Sequence, residues 1–433
     1  MAVGYGEENK YAKYGQPTLD LVFTGPKESV TDRAGNVSLE FTRSSTATYV
    51  GSDGLIKSAA VNEARFDHDK DGNGLGLLIE ESRTNELTYS EDFTQSIWVK
   101  TNTTATANSG TAPDGTNDAT FLAESNVTNY FAIYYNSSST FTDCTTSIYV
   151  KGVGRDHAVL WFVNSNTDNV SALFDLVNLT VTFTEDTAST YNSFSADIEA
   201  LPNGWRRISM TVNQPSASRY PFRLGVSDGN TATGADGRPA AYAGDSTKGL
   251  LIWGAQTEFA PFLTSYIPTS GSTVTRAVDT VSLTDTNFSS WYNGSEGSIF
   301  IDMKRPVGAS NSGAFLEFFN NAGLFLQDTS GNFTSRIGAE NNFITLGNPA
   351  TTTDYKIASS YQSANDYKVS SNGSSVTSGS TSVDFTTATE LHIGRGNNAF
   401  TSHWRNGPRT LHLKRFTFWP TRLSDSDLQS LTE

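Results

Sequence analysis

The densest run of side chains able to do chemistry is Asp67-His68-Asp69-Lys70-Asp71-Gly72. Carboxylates at alternate positions before a glycine turn form the first half of a calcium-binding loop, D-x-D-x-D-G. The twelfth position of such a loop is a bidentate Glu, and here it is Leu78; Glu80 and Glu81 come too late for that register. Phe66 and Leu77-Leu78-Ile79 read as strands on either side. The segment is therefore expected to be a polar hairpin turn, with calcium on Asp67, Asp69 and Asp71 as the alternative. Hydrolysis of a glycosidic bond needs two carboxylates at a fixed separation, yet Glu296, Asp302, Glu317 and Asp328 stand singly in the C-terminal part. His68, His157, His392, His403 and His412 are scattered, with no H-E-x-x-H spacing, and no G-x-S-x-G elbow occurs. The lone Cys144 rules out an intrachain disulfide and a Cys-based zinc site. No phosphate loop or dinucleotide fingerprint is present, so no cofactor is expected.

Sugar binding asks for an aromatic face and planar polar groups around it. The loop Asn397-Asn398-Ala399-Phe400-Thr401-Ser402-His403-Trp404-Arg405-Asn406-Gly407 puts His403, Trp404 and Arg405 beside several Asn residues. It suits a glycan contact, a subunit contact or an ordinary turn. Trp161, in His157-Ala158-Val159-Leu160-Trp161-Phe162, is a second candidate platform, and Tyr130-Phe131-Ala132-Ile133-Tyr134-Tyr135 a further aromatic cluster. Trp98, Trp205, Trp253 and Trp419 lie beside strand residues and read as core. Near the N-terminus, Tyr5, Tyr11 and Tyr14 alternate with glycines in a polar stretch, either a frayed end or an arm anchoring on a partner through tyrosines.

The elements that must position these residues are strands. The 433-residue chain has 12% aromatic residues, too many for disorder, and only 17% charged residues. Leu19 to Phe23, Ser147-Ile148-Tyr149-Val150, His157 to Val163, Ile208/Met210/Val212, Ile299/Ile301/Met303, Leu391/Ile393 and Leu411/Leu413 are short apolar or alternating runs of the kind that forms strands. Turns such as Ser52-Asp53-Gly54 and Ser371-Asn372-Gly373 separate them. The one clear helix candidate is Leu423 to Leu428, with Ser424 as its cap and acidic residues in its first turn. The fold class expected is all-β, with two antiparallel, jelly-roll-like β-sandwich domains behind an extended N-terminal arm: arm 1–18, first sandwich 19–278, second sandwich 279–433.

A net charge of −15 with no basic block argues against nucleic acid and anionic membranes as partners. Met1 to Glu8 lacks the pattern of a signal peptide, and no apolar run approaches 18 residues.

Several stretches carry a resemblance. They are Phe41-Thr42-Arg43-Ser44-Ser45-Thr46-Ala47-Thr48-Tyr49-Val50, Asp53-Gly54-Leu55-Ile56, Arg65-Phe66-Asp67-His68-Asp69 and Gly76-Leu77-Leu78-Ile79-Glu80-Glu81-Ser82-Arg83-Thr84-Asn85. Gly204-Trp205-Arg206-Arg207, Ile252-Trp253-Gly254-Ala255-Gln256 and Thr264-Ser265-Tyr266-Ile267-Pro268-Thr269 follow. In this order they resemble tailed-bacteriophage tail fibres, head fibres and spikes with carbohydrate-binding-module-like sandwiches. Leu413-Lys414-Arg415-Phe416-Thr417-Phe418-Trp419-Pro420 with Arg422-Leu423-Ser424 resembles the concanavalin A-like lectin/glucanase sandwich. A glucanase of that class would carry E-x-D-x-x-E on one strand, and no such triple exists here.

The resemblance implies a virion subunit, assembled in a host cytoplasm. It would form a homotrimer, contact other virion proteins through the N-terminal arm and adhere to host-surface polysaccharide. The expectation is a receptor-binding protein that is not an enzyme. An architectural capsid-decoration or connector protein is the first alternative, and a polysaccharide depolymerase the second.

Overall fold

A computed structural model describes residues 11–433 other than 12, 138, 166–167, 186–190, 220, 231–236, 306–312, 319–323, 330–331, 338–342, 348–353, 363–365, 380–384 and 395–409. The regular structure of the described residues is mostly antiparallel strand, as their alternation implied. Ser424 caps the final helix Asp425–Thr432, its Oγ accepting from the Asp427 N–H at 3.2 Å. Among the described residues no helix is long and apolar enough to cross a membrane.

One sandwich is built from two six-stranded sheets. The first runs Ser193–Ala200, Arg206–Arg219, Ser139–Val153, Gly249–Glu258, Thr120–Glu124, Thr103–Thr106; the second runs Thr180–Glu185, Asp168–Asp175, His157–Ser165, Arg223–Ser227, Phe131–Tyr135, Trp98–Thr101. Ile148 and Val150 from one sheet meet Leu160 and Phe162 from the other in a shared core, and each side chain is at most 2% exposed. Full burial of such side chains contributes roughly 1.5–3 kcal/mol apiece.

The other sandwich does not begin at residue 279. The strand Leu411–Trp419 pairs with Glu296–Lys304 on one side; on the other it pairs with Leu19–Val22 through Leu19↔Phe418 and with Gly74–Ile79 through Leu411↔Ile79. Glu40–Thr42 pairs with Thr280–Leu283 in the facing sheet. Residues 19–79 are thus part of the C-terminal sandwich, and the other sandwich is inserted within it. This corrects the boundaries 19–278 and 279–433. The cause is strand alternation: Leu19, Leu21, Phe23, Leu77 and Ile79 point into one core with Ile299, Ile301, Phe416 and Phe418. A composition shift near 278 marks where the chain re-enters that sandwich, not where it first forms.

Tyr11 and Tyr14 are not free anchors. Tyr14 is buried edge-on to Trp419 at 6.1 Å. The Arg415 guanidinium lies 3.6 Å from the Tyr11 ring centroid, and Tyr11 also packs on Phe300. Their apolar rings cover the outer face of the large sheet beside the final helix. Tyr5 lies outside the described residues.

Candidate functional site

Two groups of charged residues lie where the sandwiches meet. The first is sealed. Arg65, fully buried, donates through Nη1 to Glu80 Oε2 at 2.7 Å, to Ser265 Oγ at 2.9 Å and to the Thr48 carbonyl at 2.9 Å. Its Nη2 donates to Asp279 Oδ2 at 2.6 Å. Arg43 reaches Asp279 Oδ1 at 3.2 Å through Nη1 and the Ala60 carbonyl at 2.7 Å through Nη2. Glu80 also accepts from the Ser265 N–H at 2.8 Å and the Ser265 hydroxyl at 2.6 Å. Burial alone would raise the Glu80 pKa; the guanidiniums of Arg276 and Arg65 and the Ser265 donors outweigh it and hold the carboxyl far below its usual range.

The same junction absorbs the rest of the recurring motifs. Asn85 Nδ2 donates to the Ala255 and Ile267 carbonyls, and Gln256 Oε1 accepts from the Ile267 N–H. Gly254 sits at φ 62° against the Tyr149 ring, where a Cβ would come within 2.9 Å of a ring carbon. The motif string from 41 to 85 and the segments 252–256 and 264–269 therefore interlock with one another. They build a connector between sandwiches.

The second group is open to water. Glu199 stands on the outer face of its sheet, directly opposite Arg207, with Tyr149 opposite Arg207 on the next strand. The Arg207 guanidinium lies over the Tyr149 ring at 5.2 Å and donates through Nη2 to Ser147 Oγ at 3.3 Å; its buried Nε makes no hydrogen bond among the described residues. Glu199 and Asp197 are solvent-exposed. Glu199 makes no hydrogen bond among the described residues. Its pKa is nevertheless raised, first by the protein packed around the carboxyl and then by Asp67 and Asp197, against the pull of Arg207 and His412. The residue is exposed to solvent while charged groups of both sandwiches act on its carboxyl.

Asp67 and His412 come from the other sandwich. Asp67 Oδ1 accepts from the Val50 N–H at 2.7 Å, and Oδ2 is 2.8 Å from His412 Nε2. The hairpin Ala47–Val50/Ile56–Ala59 closes one side of this region: a Cβ on Gly54, at its turn, would meet Pro202 at 2.4 Å. This surface thus brings together the Glu199 and Asp67 carboxylates, the Arg207 guanidinium and the His412 imidazole, planar hydrogen-bonding groups of the kind that sugar hydroxyls pair with.

The residues singled out from sequence distribute as follows. The calcium alternative is not formed as a cluster. Asp67 is engaged as above, Asp69 accepts from the backbone N–H of Asp71 and Asn73, and Asp71 pairs with Lys70. The Asp69 and Asp71 carboxylates close their own turn, and no group of three or more His, Cys, Asp or Glu suited to a metal occurs among the described residues. Trp161 is 5% exposed, on the outer face of its sheet with Ala132, Val159 and Tyr130. The Arg238 guanidinium stacks on Tyr130 at 4.6 Å, and Pro239 abuts Gly225, so the segment around 238–239 lies against that face. Trp161 is thereby a packing residue and no open platform. Trp98, Trp205, Trp253 and Trp419 are core, as expected. His403, Trp404 and Arg405 lie outside the described residues. The sequence does not single out Glu199 and Arg207: each looks like an ordinary strand residue, although Gly204-Trp205-Arg206-Arg207 stands out as a motif.

No known protein family matches the chain, and no curated protein matches it. Solved structures similar to it include the binding domain of botulinum neurotoxin DC in complex with rat synaptotagmin II, at 12% identity and TM-score 0.28, covering 36% of this chain and 40% of that one. The chain spans about two fifths of the length of that toxin domain. Domains LG4-5 of the mouse laminin α1 chain are similar at 13% identity and TM-score 0.21, over 66% of this chain and 86% of that one. Trypanosoma rangeli sialidase in complex with sialic acid is similar at 11% identity and TM-score 0.29, over 77% of this chain and 62% of that one. Receptor-binding and laminin β-sandwich domains are thus structural neighbours. The sialidase likeness stands against the expectation that the chain is not an enzyme, and absence of the E-x-D-x-x-E triple on one strand does not exclude catalysis by carboxylates from different strands. At these identities and TM-scores none of the three assigns a ligand or reaction to this chain.

Proposed function

We propose that the chain is a β-sandwich subunit of a phage virion appendage that engages host-surface polysaccharide, and that the polar surface at Glu199 and Arg207 holds the sugar. The observation that carries this reading is a solvent-open carboxylate with its hydrogen-bonding capacity unspent. It stands opposite a guanidinium whose Nε is also unspent. Both sit on paired strands, which position polar groups more rigidly than loops do. The motif order from 41 to 269 supports the virion assignment. A homotrimer would multiply weak sites by raising their effective concentration.

The test is binding of the labelled full chain to a panel of bacterial surface polysaccharides, with unlabelled chain as competitor and release of reducing ends followed in parallel. Saturable, competed binding that falls at least tenfold in Glu199→Ala supports the reading. Reducing-end release would make the bound polysaccharide a substrate. Absence of binding to every polysaccharide by folded chain would overturn the proposal in favour of a connector or decoration protein.

A further inference from the structure

The outer face of the large sheet carries a second polar region beyond the one at Glu199. Ile301, Met303, Tyr355, Ile357, Leu411 and Leu413 point into the core. Alternation along their strands therefore turns Asp302, Lys304, Asp354, Lys356 and His412 outward. The final helix ends on this face, where its Thr432 hydroxyl accepts from the Gly373 N–H at 3.0 Å. Beside the helix end lies an open cleft of about 450 Å³, walled chiefly by Asp302, Asp354, Lys356, Asn372, Lys414 and Thr432.

The donors on this wall are not all used. Among the described residues the Lys356 ammonium donates only to the Glu433 carbonyl, at 2.9 Å, and the Lys414 ammonium only to Asp354 Oδ1, at 2.9 Å. An ammonium has three N–H donors, so most of each is unspent. Carboxylates and ammoniums are mixed around the cleft, and no field of one sign is present to hold a small ion. Spare donors beside carboxylate acceptors, in a space of the size that takes a small organic ligand, suit a neutral molecule rich in hydroxyls.

The cleft is continuous with the surface at Glu199. Asp354, on its wall, stands opposite Lys304; Lys304 stands opposite His412; and His412 meets Asp67 at 2.8 Å. Asp67 and His412 are the groups of this sandwich that act on the Glu199 carboxyl. The Lys304 ammonium makes no hydrogen bond or ion pair among the described residues. Neighbouring strands lie about 4.8 Å apart, so the row from Asp354 to His412 spans about 10 Å.

We propose that the cleft at Lys356 and Lys414 is a second subsite for the polysaccharide held at Glu199, taking a neutral sugar residue further along the same chain. This rests on the reading given under Proposed function. Two subsites on one polymer raise its effective concentration at each, so affinity grows with ligand length until both are filled.

Calorimetry of the full chain with size-fractionated oligosaccharides, cut from the polysaccharide it retains, separates the two sites. Lys414→Met and Lys356→Met should each leave the shortest bound fragment unaffected and weaken longer ones about fivefold, the scale of one lost hydrogen bond. Glu199→Ala should weaken every length. Unchanged affinity of both lysine variants for the longest fragment, with Glu199→Ala still weakened, would overturn the subsite alone. Weakening by the lysine variants with Glu199→Ala unchanged would keep the cleft as a sugar site and overturn the reading at Glu199. A lysine-dependent gain that high salt abolishes would overturn the neutral class in favour of an acidic sugar. No retained polysaccharide would overturn both sites.

Discussion

Glu80 and Glu199 are the same side chain in opposite circumstances. Glu80 is enclosed, accepts from Arg65 and twice from Ser265, and stays ionised far below the usual pH. Glu199 is open to solvent, accepts from no described residue, and has its pKa pushed up. The sealed carboxylate has nothing left to offer a ligand, whereas the open one does. Charge at the junction of the sandwiches therefore serves two purposes, and hydrogen-bond accounting separates them better than residue type does.

The largest effect expected is from Asp279→Ala. It strands Arg43 and Arg65 without their shared partner, and removing one side of a buried ion pair costs about 3–5 kcal/mol. Urea unfolding would measure it; a loss below about 1 kcal/mol would break the idea of a sealed junction. Glu80→Gln keeps the shape but removes the charge, and should cost about 2–3 kcal/mol, the scale of hydrogen bonds to a charged group. Because the folded pKa of Glu80 is depressed, its contribution is full above the unfolded value of about 4.3 and is lost as pH falls below it. Wild-type stability should therefore decline on acidification more steeply than that of Glu80→Gln.

Ser424→Ala, remote from both groups, calibrates the scale at about 1 kcal/mol for a lost helix cap. Glu199→Gln should change stability by no more than about 0.5 kcal/mol, as for other exposed positions. Its sign at neutral pH should be favourable, because a raised folded pKa means that ionisation above about 4.3 works against the folded state. The same variant should weaken polysaccharide binding about tenfold, the loss of one charge-assisted hydrogen bond. A large stability loss with unchanged binding would reverse the roles assigned to the two carboxylates.

Much of the architecture is legible in the residues. The alternating runs from Leu19 to Leu413 are strands, the turns at Ser52-Asp53-Gly54 and Asn372-Gly373 are turns, and Ser424 caps the last helix. Trp205 and Trp253 read correctly as core, because they flank alternating apolar positions. Trp161 did not resolve: on a strand its own face is set by alternation, but what covers that face is not local. The segment around 238–239, far along the chain, covers it.

Sequence alone determined the all-β class and the polar hairpin at 67–73, since each rests on alternation or turn chemistry within a few residues. Tertiary structure decided which strands share a sheet, and so placed residues 19–79 with the C-terminal sandwich through pairs such as Leu19↔Phe418. It also decided that Arg65, Glu80 and Asp279 are sealed together while Glu199 remains open. Partners more than a hundred residues apart leave no local periodicity, and whether a charge is satisfied depends on what the fold brings against it.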